Sequence, residues 1–315
     1  MTNRPPERTA VPVEADVELS VLTWNLRSNS RPALLVHGLA SNSCLWHGVG
    51  DFLADLGHPV AAVDLRGHGH SSKPDEGYDF ATIGTDLLGV LDHFGWADRG
   101  PAIAGQSWGA NVVLDFTAHH PGCAGGLVLV DGGTIELSAR FADWPTCRAA
   151  LTPPDLRGVP FGDFEKMVRS HHPDWPESGI AGTLANMEVL EDGTIRPWLS
   201  LEHHLQILRN LWEHKPSELY SKITCPTALI AADDVSNTRW MAGKRQEVAA
   251  AGSAIANCEV RWLRGDHDLH AQYPDLVGGL VHSTPERADP VAPKTSGISQ
   301  PPAGRDWVVE EGREA

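Results

Sequence analysis

The sequence predicts an α/β architecture: a doubly wound, mostly parallel sheet with helices on both faces and a helical cap inserted into it. Three observations carry that prediction. Short apolar runs bounded by Gly or Pro recur along the chain: PALLVHG (32–38), HPVAAVDLRG (58–67), PAIAG (101–105), GGLVLVDGG (125–133), PTALIAA (226–232) and EVRWLRG (259–265). Runs of this length, rich in aliphatic and β-branched residues, read as strands buried on both faces. Helical periodicity fills the gaps, and strand–helix alternation is the signature of a parallel sheet. The alternation then breaks between 134 and 216, where prolines and tryptophans accumulate.

Each element has its own warrant. VEADVELS and VLTWNLR read as an antiparallel entry hairpin. SCLWHGVGDFLADLG sets Leu45, Val49, Phe52, Leu53 and Leu56 on one helical face, and FATIGTDLLGVLDHFG does so with Ile83, Leu87, Leu88, Leu91 and Phe94. In the cap interval, LEHHLQILRNLW carries Leu201, Leu205, Leu208 and Leu211 or Trp212, and EDGTI (191–195) is a tight turn tipped by Asp192-Gly193. The expected layout is a disordered arm over 1–14, a core over 15–133 and 217–282, a cap over 134–216, and a flexible tail over 283–315. In that tail only Trp307, Val308 and Val309 are apolar enough to dock.

A formal net charge of -16 disfavours nucleic acid and anionic membrane surfaces as partners. No run of about 18 apolar residues exists to span a bilayer. The N-terminus has early acids and no apolar run, unlike a signal peptide. The five cysteines are scattered, without a CxxC pair, and read as reduced core residues, so no zinc or redox cluster is suggested; separately, no metal or cofactor is expected. These features point to a cytoplasmic location and leave homo-oligomer formation open.

The chemistry concentrates in four places. Gly105-Gln106-Ser107-Trp108-Gly109 is a G-x-S-x-G segment with a strand running in and a helix (SWGANVVLDFTAHH) running out. Such a sharp turn strains the serine backbone and lifts its hydroxyl clear of the sheet, and the flanking glycines are needed because side chains there would collide with backbone. The helix N-terminus aims free N–H groups at developing negative charge. His37-Gly38-Leu39 follows the earlier strand, so the Leu39 N–H is placed to pair with that of Trp108 as an oxyanion hole, one donor being worth roughly 2.7–4 kcal/mol of barrier. His37 itself reads as a structural hydrogen-bonder. For the base, the chain order Ser, then acid, then His leaves His267, with His270 as the alternative. For the acid, Asp234 ranks first, then Asp233, both at the end of PTALIAA. Asp131 is the rival at the end of LVLVDGG. The ordinary alternative for each is a loop cap.

With HGLASNS (37–43), DLRGHGHSSKP (64–74), GQSWG (105–109), LVLVDGG (127–133), CPTALIAADD (225–234) and GDHDLHAQYPDLV (265–277) in view, the chain resembles the capped α/β-hydrolase fold family from about 15 to 282. The resemblance implies a serine hydrolase, an esterase with a catalytic triad. It matches Ser107 to the nucleophile and His267, seven residues before Pro274, to the base. It makes DLRGHGHS a structural turn after the fourth strand. Relatives often carry Gly-x-x-Asp where this chain has Ala231-Ala232-Asp233-Asp234. Epoxide hydrolases and haloalkane dehalogenases of this fold carry aspartate where Ser107 stands, and the HGGPG loop of proline iminopeptidases is absent. The expected function is cleavage of a carboxylic ester or related acyl compound through an acyl-enzyme. The expected substrate is a small molecule, apolar or aromatic as the cap tryptophans and Trp108 suggest. Perhydrolase (haloperoxidase-like), C–C hydrolase, thioesterase and lactonase activities on the same triad are alternatives within enzymes. A non-catalytic small-molecule receptor is the alternative outside them.

Overall fold

The computed structural model describes residues 5–233, 238–287 and 307–308. Its main sheet contains β1 (Glu7–Glu14), β2 (Val17–Trp24), β3 (Ala33–Val36), β4 (Val60–Val63), β5 (Ala102–Gln106) and β6 (Gly126–Val130), all preceding the cap. A hairpin of β7 (Met187–Val189) and β8 (Ile195–Pro197) lies inside the cap. The main sheet resumes with β9 (Thr227–Asp233), β10 (Cys258–Arg264) and β11 (Trp307–Val308). Strand order in the main sheet is β1-β2-β4-β3-β5-β6-β9-β10-β11. From β4 through β10 all pairs are parallel, while β1, β2 and β11 are antiparallel additions.

The central strands are buried at every position, as a sheet covered on both faces requires. Their side chains alternate between two cores with a period of two. Leu34, Val36, Ile103, Leu127 and Leu129 join one core, with Leu87 and Leu91 of α2 (Phe80–His93 below) packed on it. Ala33, Leu35, Ala104, Val128 and Val130 join the other, which also takes in Val49 and Leu53.

The helices outside the cap are placed accordingly. A 3-10 turn over Ser43–Trp46 leads into α1 (His47–Asp55), and α2 (Phe80–His93) follows. Asp79 caps α2, its side chain accepting from Thr82 N at 2.9 Å. Then comes α3 (Trp108–His119). The cap holds α4 (Leu137–Arg140), α5 (Trp144–Leu151), α6 (Phe161–His171), α7 (Glu177–Leu184) and α8 (Leu201–Glu213). After β9 come α9 (Thr238–Ala254), α10 (Leu269–Gln272) and α11 (Pro274–Ser283). Among the described residues no helix is long and apolar enough to cross a membrane.

Two boundaries differ from expectation. The arm assigned to 1–14 is instead ordered from Glu7, because Val11 fills the core (0% exposed) and Glu7–Pro12 pair with Glu18–Thr23. The entry hairpin therefore turns at Ala15-Asp16, and VELSVLTW is one unbroken strand. The expected tail lies mainly outside the described residues, but Trp307 and Val308 pair with Leu263 and Trp262 on β10. Inside the cap, the turn at Asp192-Gly193 closes the β7–β8 hairpin, with Gly193 at φ 79°.

Candidate active site

The strand ends of β3, β5, β6 and β10 bring four loops together. Ser107 sits between β5 and α3 at φ 54°, ψ −124°, left-handed space that a side chain enters only at a cost. Two glycines make the bend possible. A Cβ on Gly105 would stand 2.3 Å from the Gly109 carbonyl oxygen, and one on Gly109 would stand 2.2 Å from that of His37. The glycines of the motif are thus fixed by contact with backbone, not by the turn alone.

The loop after β3 lies against this bend. A Cβ on Gly38 would touch the Gln106 side chain and come within 3.1 Å of Ser107 Cβ. Leu39, the next residue, is therefore held beside the serine. Trp108 opens α3, where a first-turn N–H has no partner within the helix. His37 is fully buried and tied down at both nitrogens: Nδ1 lies 2.7 Å from Gly38 O, and Nε2 accepts from Leu65 N at 3.0 Å. Burial lowers its pKa although Asp64 pulls the other way, so this ring stays neutral and structural. The adjoining DLRGHGHS turn is a second scaffold: Asp64 Oδ1 accepts from Ser43 N at 2.7 Å, and Arg66 pairs with Asp86 at 2.7 Å.

His267 emerges just past β10. Its backbone carbonyl accepts from Gln106 Nε2 at 3.3 Å, which anchors the loop to the elbow. Its side chain keeps 53% of its surface accessible, as a group that must meet a ligand requires. Nδ1 donates to Asp131 Oδ2 at 2.6 Å, leaving Nε2 as the ring nitrogen free to face a reacting group. Desolvation pulls the imidazole down. The Asp131 hydrogen bond and charge outweigh it, and the net pKa lies above the ordinary histidine value.

The carboxylate on the ring is therefore that of Asp131, the rival among the three candidates. Asp233 turns away to Arg245 Nη2 at 2.9 Å. Asp234, ranked first from sequence, lies outside the described residues. The reason for Asp131 is local geometry. Asp131 follows β6 with φ 47°, Ser107 N donates to Val130 O at 2.9 Å, and a Cβ on Gly132 would stand 2.1 Å from the Ser107 carbonyl. The segment 130–132 is thus pressed against the serine backbone. Asp131 Oδ1 accepts from Ala232 N at 2.7 Å and pairs with Lys244 Nζ at 2.5 Å. Burial raises the carboxyl pKa, but His267 and Lys244 outweigh it and hold it below the usual range. Lys244 was not foreseen; it lies on α9, which has no marked apolar stripe to announce which way its side chains face.

The alternative base, His270, is buried and lies against Trp46 at 4.3 Å between ring centroids. Burial drives its pKa down to about 3. Asp131, Gly132, Thr134, Ile135, Arg140, Lys244 and His267 border a cavity of about 50 Å³. The tryptophans divide between packing and a cavity: Trp144 borders a cap cavity of about 410 Å³ with Arg148, Leu205 and Arg209, away from Ser107. Trp175 fills the cap core with Phe164, Val168 and Ile180, and its Nε1 donates to Asp266 at 2.8 Å. Trp108 is 1% exposed and stacks on His68. Arg209 lies over both Trp144 and Trp212. Among the described residues no cluster of His, Cys, Asp or Glu could hold a metal.

Comparison with known proteins agrees with this architecture. An uncharacterised protein of Mycobacterium tuberculosis is 39% identical over 132 residues, 39% of this chain and 37% of that protein. Epoxide hydrolase B of the same organism is 35% identical over 133 residues, 41% of this chain and 33% of its own length. The match spans only about a third of these relatives. Among solved structures, E-2-(acetamidomethylene)succinate hydrolase superposes with a TM-score of 0.69 at 19% identity, covering 89% of this chain and 99% of that one. A thioesterase domain from the curacin biosynthetic pathway gives 0.70 at 20% identity, covering 89% and 100%. The profile of the alpha/beta hydrolase family matches residues 33–278. The strained serine at the end of β5, the glycines packed around it and this family match over most of the chain lead to one assignment: the protein belongs to the alpha/beta hydrolase family.

Proposed function

We propose that the protein is a serine hydrolase of small acyl compounds, with Ser107, His267 and Asp131 as its triad. The observation that carries this reading is the Asp131–His267 hydrogen bond beside a serine held at positive φ. Asp131 fixes Nδ1 as the protonated nitrogen, so Nε2 is the base. Nε2 takes the Ser107 proton as Oγ attacks the carbonyl carbon. The resulting oxyanion is met by the Leu39 and Trp108 N–H groups. The imidazolium returns its proton to the leaving group, giving an acyl-enzyme. Water, deprotonated by the same nitrogen, releases the acid.

Serine at position 107 supports acyl chemistry over the epoxide opening named for one relative, whose fold class uses aspartate there. A soluble, cytoplasmic enzyme without a cofactor fits this chemistry. Thioesters and lactones remain a second reading, favoured by the structural likeness to a thioesterase domain and to an N-acyl homoserine lactone degrading enzyme.

Labelling by a fluorophosphonate tests the proposal. Wild type should label and Ser107→Ala should not; an unlabelled wild type or an equally labelled variant defeats it. Relative turnover of p-nitrophenyl acetate, a thioester and a lactone then assigns the acyl class. A ligand that raises thermal stability and is recovered uncleaved would point to a receptor instead.

A further inference from the structure

Lys244 is a buried cation with two fixed partners. It is 9% exposed, its Nζ lies 2.5 Å from Asp131 Oδ1, and it donates to Ala232 O at 2.7 Å. Asp131 divides its oxygens cleanly: Oδ2 faces His267, and Oδ1 faces Lys244 and the Ala232 N–H. A buried ammonium that only stabilised the fold would not need to share a carboxylate with an imidazole, since buried ion pairs are often no more stable than apolar packing.

We propose that Lys244 is a positioning residue of the triad, whose ammonium holds the Asp131 carboxylate on its ring-facing rotamer and tempers the negative charge that the His267 ring feels. The proposal rests on the hydrolase reading above. Among the described residues, the groups that act on the ring are Asp131 at the end of β6, Lys244 on α9, Asp268 in its own loop and His270 on α10. The Arg140–Glu247 pair stands across the cavity, and His172 pairs with Asp266 beside the loop. Asp131 and Asp268 both favour the imidazolium, and Lys244 opposes them. Without that opposition the base would bind its proton more tightly and be blocked over more of the neutral range. With it, the carboxylate still orients Nδ1 while the ring stays available.

The test measures the His267 pKa directly, so it does not depend on turnover. Side-chain 15N histidine spectra of the full chain, assigned with His267→Gln, are recorded against pH for wild type, Lys244→Met, Lys244→Gln and Lys244→Arg. Two neutral variants guard against one failing to fold, Gln retaining an amide donor for Asp131. Both should raise the His267 pKa by about one pH unit, a tenfold gain in proton affinity, while Arg, which keeps the charge, should leave it within about 0.3. The acid limb of fluorophosphonate labelling should move by the same amount. A merely structural lysine would lower thermal stability without moving either. An unmoved pKa in the folded neutral variants overturns the proposal even if wild type labels. A moved pKa in a wild type that does not label upholds the electrostatic coupling and removes the hydrolase reading instead.

Discussion

The nucleophile elbow and the acid–base corner lie side by side at the same sheet rim, yet they are specified in opposite ways. The elbow is local. Gly105, Ser107 and Gly109 fall within five residues, and the two glycines are required because a Cβ on either would come within 2.2–2.3 Å of a backbone carbonyl oxygen. The corner is assembled from four distant pieces: Asp131 after β6, Ala232 on β9, Lys244 on α9 and His267 after β10. A local site is written as a motif, whereas a dispersed one is written only in the tertiary structure.

The sharpest way to break this comparison is at the nucleophile. Ser107→Ala should lower kcat by about 10⁶ with the fold retained, measured as turnover of p-nitrophenyl acetate. In the corner, Asp131→Asn should cost about 10⁴ in kcat, by presenting the wrong hydrogen to Nδ1. Asp233→Asn, at a carboxylate already paired with Arg245, should change kcat less than about threefold. If the two results came out reversed, the acid would sit on β9 and Asp131 would be only a structural partner.

Gly109→Ala tests whether the elbow is fixed by packing. A methyl driven against the His37 carbonyl should lower stability by about 3 kcal/mol, read as a drop in the urea midpoint. A neutral result would mean that the bend tolerates a side chain and that its specification is not steric.

The smallest effect concerns His270, next to the corner. Its folded pKa of about 3 lies below its unfolded value, so the unfolded chain binds an extra proton between those limits. Stability is complete above pH 6.5 and falls as pH drops toward 3. Between pH 7.5 and 5.0 this single group should remove about 2 kcal/mol. His270→Phe should flatten that part of the urea-midpoint profile. His267 has the opposite sign: its raised pKa adds stability below its unfolded value, lost as pH rises through the folded one. Because its side chain is half exposed, the contribution is screened and small.

The same contrast accounts for what the sequence made legible. Strands β3 to β6 and β9 announced themselves because both faces are buried, so apolar runs had no reason to be interrupted. The bend at Ser107 followed from its glycines, and the place of His267 just past β10 from chain order. The carboxylate on the ring did not, because the sequence offers an aspartate after LVLVDGG and two after PTALIAA, and among the described residues only the approach of 130–132 to the serine carbonyl separates Asp131 from Asp233. Val11 shows a second limit. ERTAVPVE looks like a polar arm because an edge strand buries few residues, here chiefly Val11, and exposes the rest. The cap tryptophans show a third: an aromatic residue reads the same whether it lines a pocket or, like Trp175, fills a small core.

The position of Asp131 also constrains how the molecule can be altered. The cap begins within a few residues of this carboxylate, at Leu137, while Gly132 is wedged against the serine carbonyl. A new lid grafted from another protein would have to be spliced after Gly133, since a seam any earlier would remove the carboxylate that holds the His267 ring together with the old roof.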